Sequence, residues 1–457
     1  MRYAQGRALS ITATLSCLVL TAVLTACGDD PTPTPASPPI TTTPVTVAPT
    51  PTSAPVTPIP ATPTATPEPA SQLWQVFPST IDGYTRLVEQ DPGGLESMID
   101  ENIATLNEVI ERDASASDAY VKRGAARVIL YAYTSALRTD AESLLEQAVE
   151  DFTTAIALDQ SNASAYIGRG EAYHQWRQID RAFRDYEAAI RLLDGSLSRD
   201  SQNVDALANR AYAHSGKDEY DEVLRDLDAA IELDPGNPWT LISRSLAHSW
   251  KGEIAAAIRD LNTAIRLDPT SANAYNARGS HYMDAGEFTR ALQDFDKAIG
   301  LNPNFRWAYG NRGNLHHVMG DYDSAIQDYT KAISIRPYSV AYRNRGNAYH
   351  SKGEYEKAIQ DYDVAIDRFP DHPQTYVDRG DAYYMKDEYD RAIEDYDTAI
   401  DLDESNAYSY YSRGYAHLSH GNMSKARADF DKALELGHDS DEIEDALATL
   451  KSLEENG

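Results

Sequence analysis

Ala274-Tyr275-Asn276-Ala277-Arg278-Gly279-Ser280-His281-Tyr282, then Gly286-Glu287-Phe288, then Ala291-Leu292-Gln293-Asp294-Phe295-Asp296-Lys297-Ala298-Ile299, then Pro303, is one complete structural unit. Tyr275, Gly279 and Tyr282 fall at helical spacing and predict one face of a first helix. Gly286 ends that helix, because glycine accepts the left-handed backbone of a helix C-terminus. Phe288, Ala291, Phe295, Ala298 and Ile299 line one face of a second helix. Pro303 stops it, since proline lacks the amide donor. Gly279, Ala291 and Ala298 are small, so two helix backbones can approach closely.

The unit recurs on both sides. Arg-Gly pairs stand at Arg123-Gly124, Arg169-Gly170, Arg278-Gly279, Arg312-Gly313, Arg345-Gly346, Arg379-Gly380 and Arg413-Gly414, with Arg210-Ala211 and Arg244-Ser245 filling the gap. From Arg210 the steps are 34, 34, 34, 33, 34 and 34 residues, and the first two steps are 46 and 41. An alanine occupies the inner site of every second helix: Ala155, Ala189, Ala230, Ala264, Ala298, Ala332, Ala365, Ala399 and Ala433. An aromatic or leucine lies three residues before each, from Phe152 to Phe430. A terminating proline follows in five units (Pro235, Pro269, Pro303, Pro337, Pro370) and is replaced by Gln160, Asp194, Glu404 and His438 in the others.

Over residues 117–438 this pattern resembles the tetratricopeptide repeat, a helix-turn-helix of about 34 residues. The resemblance implies an all-α, right-handed superhelical solenoid of about nine helix pairs. Residues 71–116 read as an N-terminal capping half-repeat whose helix, Leu95 to Arg112, carries Leu106, Val109 and Ile110. Residues 439–457 read as a C-terminal capping helix, opened by Asp439 with Glu442 and faced by Ile443, Ala446, Leu447 and Leu450. Of the two insertions, Ala125–Leu144 reads as lengthened helices and Asp194–Asn203 as a polar loop.

The most regular charges are the arginines above and an aspartate before each second-helix aromatic or leucine: Asp151, Asp185, Asp226, Asp260, Asp294, Asp328, Asp361, Asp395 and Asp429. Both flank core positions, so each needs a partner. They predict a structural ladder of Arg–Asp pairs; nine aspartates would neutralise a row of arginines meant for anions. His214, His248, His316 and His417 take the place of Tyr282 and Tyr349 in sibling units, and read as packed residues, not metal ligands. The sequence has no zincin histidine pair, phosphate-binding glycine loop or nucleophile elbow. It therefore predicts no catalytic, metal or cofactor site, and a protein that is not an enzyme.

The first residues tell of destination. Arg2 and Arg7 precede an apolar run from Ala8 to Ala26, the plan of a secretory signal over residues 1–26. Leu24-Thr25-Ala26-Cys27 resembles the lipobox of bacterial lipoproteins, which implies lipidation of Cys27 and an extracytoplasmic protein anchored to the cell membrane, with more than one acyl chain for stable anchoring. Cys17 and Cys27 are the only cysteines, so the repeats contain no disulfide or zinc-thiolate site. Residues 27–70 form a Pro/Thr-rich linker, with 14 prolines and 12 threonines between Pro31 and Pro69. Such a segment buries no core and predicts a disordered, extended stalk of at most roughly 120 Å.

With 41 Lys plus Arg against 71 Asp plus Glu, the net charge of −30 disfavours nucleic acid as a partner. The resemblance implies that the stacked first helices line a concave surface that binds a protein or peptide. By register that surface receives Trp239, Asn273, Asn276, Met283, Trp307, Asn314, His317, Arg343, Asn347, His350, Asp381, Tyr384, Tyr408, Tyr411 and Tyr415. Aromatics and amides offer contact area and hydrogen bonds at modest entropic cost. The alternative expectation is recognition of a wall polysaccharide through the aromatic rows.

Overall fold

The computed structural model describes residues 95–134 and 141–438, together with 443, 444, 446–448 and 450. The signal segment, Cys27, the Pro/Thr linker, residues 71–94 and the Asp439–Glu442 cap lie outside the described residues.

Within them the chain is helical throughout and contains no strand. Helix α1 (Leu95–Arg112) comes first. Nine pairs follow: α2 (Ser117–Thr134) with α3 (Ala141–Leu158), α4 (Ala163–Gln175) with α5 (Ile179–Leu197), α6 (Val204–Ser215) with α7 (Tyr220–Leu233), α8 (Pro238–Trp250) with α9 (Ile254–Leu267), and α10 (Ala272–Asp284) with α11 (Phe288–Leu301). Then come α12 (Arg306–Val318) with α13 (Tyr322–Ile335), α14 (Ser339–Ser351) with α15 (Tyr355–Arg368), α16 (Pro373–Tyr384) with α17 (Tyr389–Leu402), and α18 (Ala407–Ser419) with α19 (Met423–Glu435).

Each pair packs through the small residues. All nine inner alanines, Ala155 to Ala433, are 0% exposed. A Cβ on Gly279 would sit 2.7 Å from the Phe295 ring, closer than packing allows, so the aromatic of the second helix fills the space that glycine leaves. Asn162, Asn203, Asn237, Ser271 and Asn406 cap first helices with a side-chain oxygen on a backbone amide. Loops that lack the terminal proline keep the same turn: Asp159 accepts from the Ser161 amide and Asp403 from the Ser405 amide, both at 2.9 Å, as Asp268 does from Thr270 in a proline-bearing unit. The aspartate side chain holds this turn.

Eight of the nine first helices end on a left-handed residue among the described residues. It is glycine at Gly252, Gly286, Gly320, Gly353 and Gly421, but Arg177, Asp218 and Asp387 hold φ values of 58°, 61° and 59° at the same place. The insertions resolve differently. Helices α2 and α3 are both lengthened to 18 residues. Helix α5 runs on to Leu197, so residues 194–197 are helical where a polar loop was expected. The reason is a continued apolar face: Leu193 and Leu197 are buried in line with Tyr186 and Ala189. At the far end, Ile443, Ala446 and Leu450 are helical and buried against Phe430 and Ala433.

Neighbouring pairs stack in order, and first helices touch one another directly, as α2 does α4 and α10 does α12. Second helices make no contact of that extent. The first helices therefore line the inside of a curved stack, and the second helices its outside.

Candidate functional site

The Arg–Asp ladder forms in all nine pairs. Each arginine gives Nε and Nη2 to the two oxygens of its aspartate, as Arg278 does to Asp294 at 2.7 and 2.7 Å and Arg413 to Asp429 at 2.9 and 2.6 Å. This bidentate geometry is the strong form of the contact. Nη1 reaches a third helix, the second helix of the preceding pair: Arg244 to Asp228, Arg312 to Asp296, Arg379 to Asp363. One guanidinium thus joins three helices, and the ladder is mortar between units. The sequence reading found the pairs but not this third contact, although its signal, a polar residue 16 positions before the arginine (15 for Arg345), is present. In the first pair Arg127 also bonds Asp151.

The histidines pack in the array as well. His214 meets Glu219 and His248 meets Glu253, both at 2.7 Å, while His316 and His417 lie 3.9 Å from the ladder residues Asp328 and Asp429. Burial lowers the pKa of His417. Among the described residues no group of three or more His, Cys, Asp or Glu is placed to hold a metal ion.

The inner face of the first helices departs from the sequence reading at four positions. Trp239, Asn273, Asn276 and Trp307 are 5%, 5%, 1% and 4% exposed, so they form no contact surface. Neighbouring first helices close over them: Trp239 packs with Leu241, Ala274 and Ala277, Trp307 lies edge-on to Tyr338 at 4.9 Å, and Asn276 accepts from Asn311 Nδ2 at 3.0 Å. Met283, Asn314, His317, Arg343, Asn347, His350, Asp381, Tyr384, Tyr408, Tyr411 and Tyr415 are half-buried along the same face.

Several of these bridge one first helix to the next. Asn344 Nδ2 donates to Asn314 Oδ1 at 2.9 Å, Tyr384 and Ser419 share a hydrogen at 3.0 Å, and Tyr408 OH donates to Asp381 at 3.3 Å. His317 and His350 lie against Tyr322 and Tyr355, each at 5.2 Å between ring centres. Burial lowers the pKa of His350. Tyr411 stacks between Tyr415 at 5.0 Å and His438 at 4.2 Å. Arg343 lies 3.5 Å from His372 Nε2.

A second rule governs this face, and sequence reasoning missed it. Where the second-helix aromatic is tyrosine, the residue 15 positions earlier is a polar acceptor. Tyr186, Tyr329, Tyr362 and Tyr396 donate to Glu171, Asn314, Asn347 and Asp381 at 3.3, 2.7, 2.7 and 2.6 Å. Where it is Phe or Leu, that residue is Tyr212, Leu246, Ser280 or Tyr415, and Ala125 takes the same register in the lengthened first unit, 27 positions before Phe152. A buried phenol needs an acceptor, and a benzyl or isobutyl group does not. Asp381, so enclosed, has its pKa pushed up to about 7 by burial, with the nearby Asp378 charge adding to the rise and bonds from Tyr396, Tyr408 and Ser412 opposing it.

Family models with the description TPR repeat match residues 144–175, 251–284, 346–387 and 380–421. Others described as tetratricopeptide repeat match 272–305 and 307–339, and 163–192 and 407–436. The helix pairs within these spans are tetratricopeptide repeats. Among solved structures, a tetratricopeptide repeat protein from Parabacteroides merdae is 23% identical, with 55% of this chain and 99% of that one covered and a TM-score of 0.44. Yeast Tom70 is 15% identical over 85% of this chain and 94% of its own, at a TM-score of 0.46. YrrB, described as a TPR protein with an unusual peptide-binding site, is 21% identical over 41% and 97%, at 0.36. No curated protein matches the chain. Within the tetratricopeptide repeats, the half-buried residues from Met283 to Tyr415 belong to the fifth to ninth units. Of their counterparts in the first four, Val121, Ile167, Ile242 and Leu246 are buried and apolar, and Glu171, His174 and Ser215 are buried and polar.

Proposed function

We propose that the array is an extracytoplasmic scaffold that binds an extended segment of a partner protein along the inner face of its fifth to ninth repeats. One observation carries this reading. Asn314 and Asn347 stand at the same register of consecutive first helices, and each commits its side-chain oxygen to the tyrosine behind it. That bond fixes the amide and leaves its N–H groups for the groove, where they match the carbonyl oxygens of an extended chain. Holding both amides before binding lowers the entropy lost on association. The net charge of −30 supports a polypeptide partner over a polyanion.

The lipobox-like Leu24 to Cys27 and the Pro/Thr stretch support a tether: a lipid on Cys27, a stalk, and the array held away from the membrane. Two experiments test the reading. Affinity purification from native membranes should recover a protein with the wild-type chain and lose it with the double variant Asn347→Leu/Tyr362→Phe; recovery of glycan alone would overturn the proposal. Cys27→Ser should release the protein from the membrane fraction, and retention there would overturn the anchor.

A further inference from the structure

Asn314, Asn347 and Asp381 stand at one register of three consecutive first helices, α12, α14 and α16, which touch in turn. Three residues on, along the same helix face, stand His317, His350 and Tyr384. Each of these rings lies against the tyrosine that opens its own second helix: Tyr322 and Tyr355 at 5.2 Å, and Tyr389 at 5.6 Å, between ring centres. All six rings are half-buried, so each keeps an accessible part. The sixth to eighth units thus carry two parallel strips, one of polar groups and one of rings.

The acceptors of the polar strip are occupied from within. Asn314 Oδ1 takes Tyr329 OH at 2.7 Å and Asn344 Nδ2 at 2.9 Å, and Asn347 Oδ1 takes Tyr362 OH at 2.7 Å. Asp381 takes the hydroxyls of Tyr396 and Tyr408, at 2.6 and 3.3 Å, and that of Ser412. The strip therefore offers donors, the amide N–H groups of Asn314 and Asn347, one unit apart. It matches a chain that brings carbonyl oxygens and few N–H groups.

Spacing narrows the choice. Packed helices lie about 8–10 Å apart, so the rings and amides recur along the groove at about that step. A β-strand repeats on one face at about 7 Å and then about 13 Å. An α-helix repeats at roughly 10.5 Å, every seven residues, but its carbonyls bond within the helix. A polyproline II helix turns once in three residues, about 9.3 Å, and its carbonyls make no internal bond. Proline also has no N–H, and proline-rich chains dock on aromatic-lined grooves.

Resting on the reading that the inner face takes a polypeptide, we propose that the bound segment is proline-rich and lies along the sixth to eighth units as a polyproline II helix. One proline per turn packs on His317, His350 and Tyr384 in succession, and carbonyls between them accept from Asn314 and Asn347. Charge agrees with this occupant. Asp381 is the one carboxylate of the two strips, and three hydroxyls already enclose it, so the segment needs no charge of its own. An acidic segment would meet a net charge of −30.

The test titrates the full chain against two blocked, fluorescein-labelled peptides of twelve residues, oligoproline and an alanine–serine repeat, and reads fluorescence anisotropy. Oligoproline should bind about tenfold tighter than the alanine–serine peptide. His317→Ala/His350→Ala should weaken oligoproline about tenfold, and His317→Phe/His350→Phe, which restores the rings, should recover the binding. Gln327→Ala on the outer helix α13 should change nothing. Equal binding of the two peptides, no binding of oligoproline, or oligoproline binding that the alanine pair leaves intact overturns the proposal. The polypeptide reading is judged apart, by recovery of a partner from native membranes: a chain that recovers a partner and ignores oligoproline upholds that reading and sinks this one.

Discussion

Arg312 donates from Nε to one oxygen of Asp328 at 2.8 Å and from Nη2 to the other at 2.6 Å, while its Nη1 holds Asp296 of the preceding unit at 2.6 Å. The Asp328 side chain is 8% exposed and that of Arg312 22% exposed. Removing the arginine strands a buried carboxylate, and removing both does not. Arg312→Met should cost about 3 kcal/mol, and Arg312→Met/Asp328→Leu markedly less. Denaturant melts of the four proteins in the cycle check this. A single variant as stable as the double would deny the coupling.

Arg177 is a non-glycine residue at a φ of 58° where five sibling units use glycine. Arg177→Gly should stabilise the protein by about 1 kcal/mol, since it removes the left-handed strain at modest entropic cost in the unfolded chain. Asp218→Gly and Asp387→Gly should gain less. Each also loses a bond, from Tyr220 OH at 2.7 Å and from Tyr389 OH at 2.6 Å. Equal gains at all three positions would contradict this ranking.

Tyr362 and Asn347 should show the same logic without charge. Asn347→Leu leaves a phenol buried with no acceptor and should cost about 2 kcal/mol, and adding Tyr362→Phe should restore most of it. Thermal melts report this directly. No rescue by the second change would mean that the bond at 2.7 Å contributes nothing.

Asp381 gives a pH signature. Its folded pKa of about 7 lies above the roughly 3.9 of an unfolded aspartate. The native state keeps a proton that the unfolded chain releases, so this group's contribution to stability falls as pH rises from about 4 to about 7. Below that window the penalty is absent, and above it the penalty is complete. Asp381→Asn stays neutral throughout. Its Tm relative to wild type should therefore climb between pH 5 and pH 8 in melts; a difference independent of pH would remove Asp381 as the source.

Much of the fold was legible in the sequence because its determinants are local and repeated. The nine alanines, the aromatic three residues before each, and the Arg and Asp beside them fix the helix faces one unit at a time. What the inner face does was less legible. Register places Trp239, Asn273, Asn276 and Trp307 on it, but their burial depends on how tightly the next first helix closes, a property of two units together. The same holds for the third contact of each ladder arginine and for the tyrosine–acceptor pairs, where the signal lies 15 or 16 residues away and between helices. Helix α5 extends past Asp194 because Leu193 and Leu197 continue its apolar face, while the charged residues around them read as a loop.

The central claim is that a polypeptide lies against the inner face of the later repeats. The most direct measurement places a photo-crosslinking residue at Met283, half-buried in the groove, or at Gln327, exposed on the outer helix α13, in cells that make the full chain. The account predicts that the probe at Met283 captures a defined polypeptide, that the probe at Gln327 does not, and that adding Asn347→Leu/Tyr362→Phe to the Met283 probe lowers its yield about tenfold. Equal capture from both faces, or capture of glycan with no polypeptide, would contradict it.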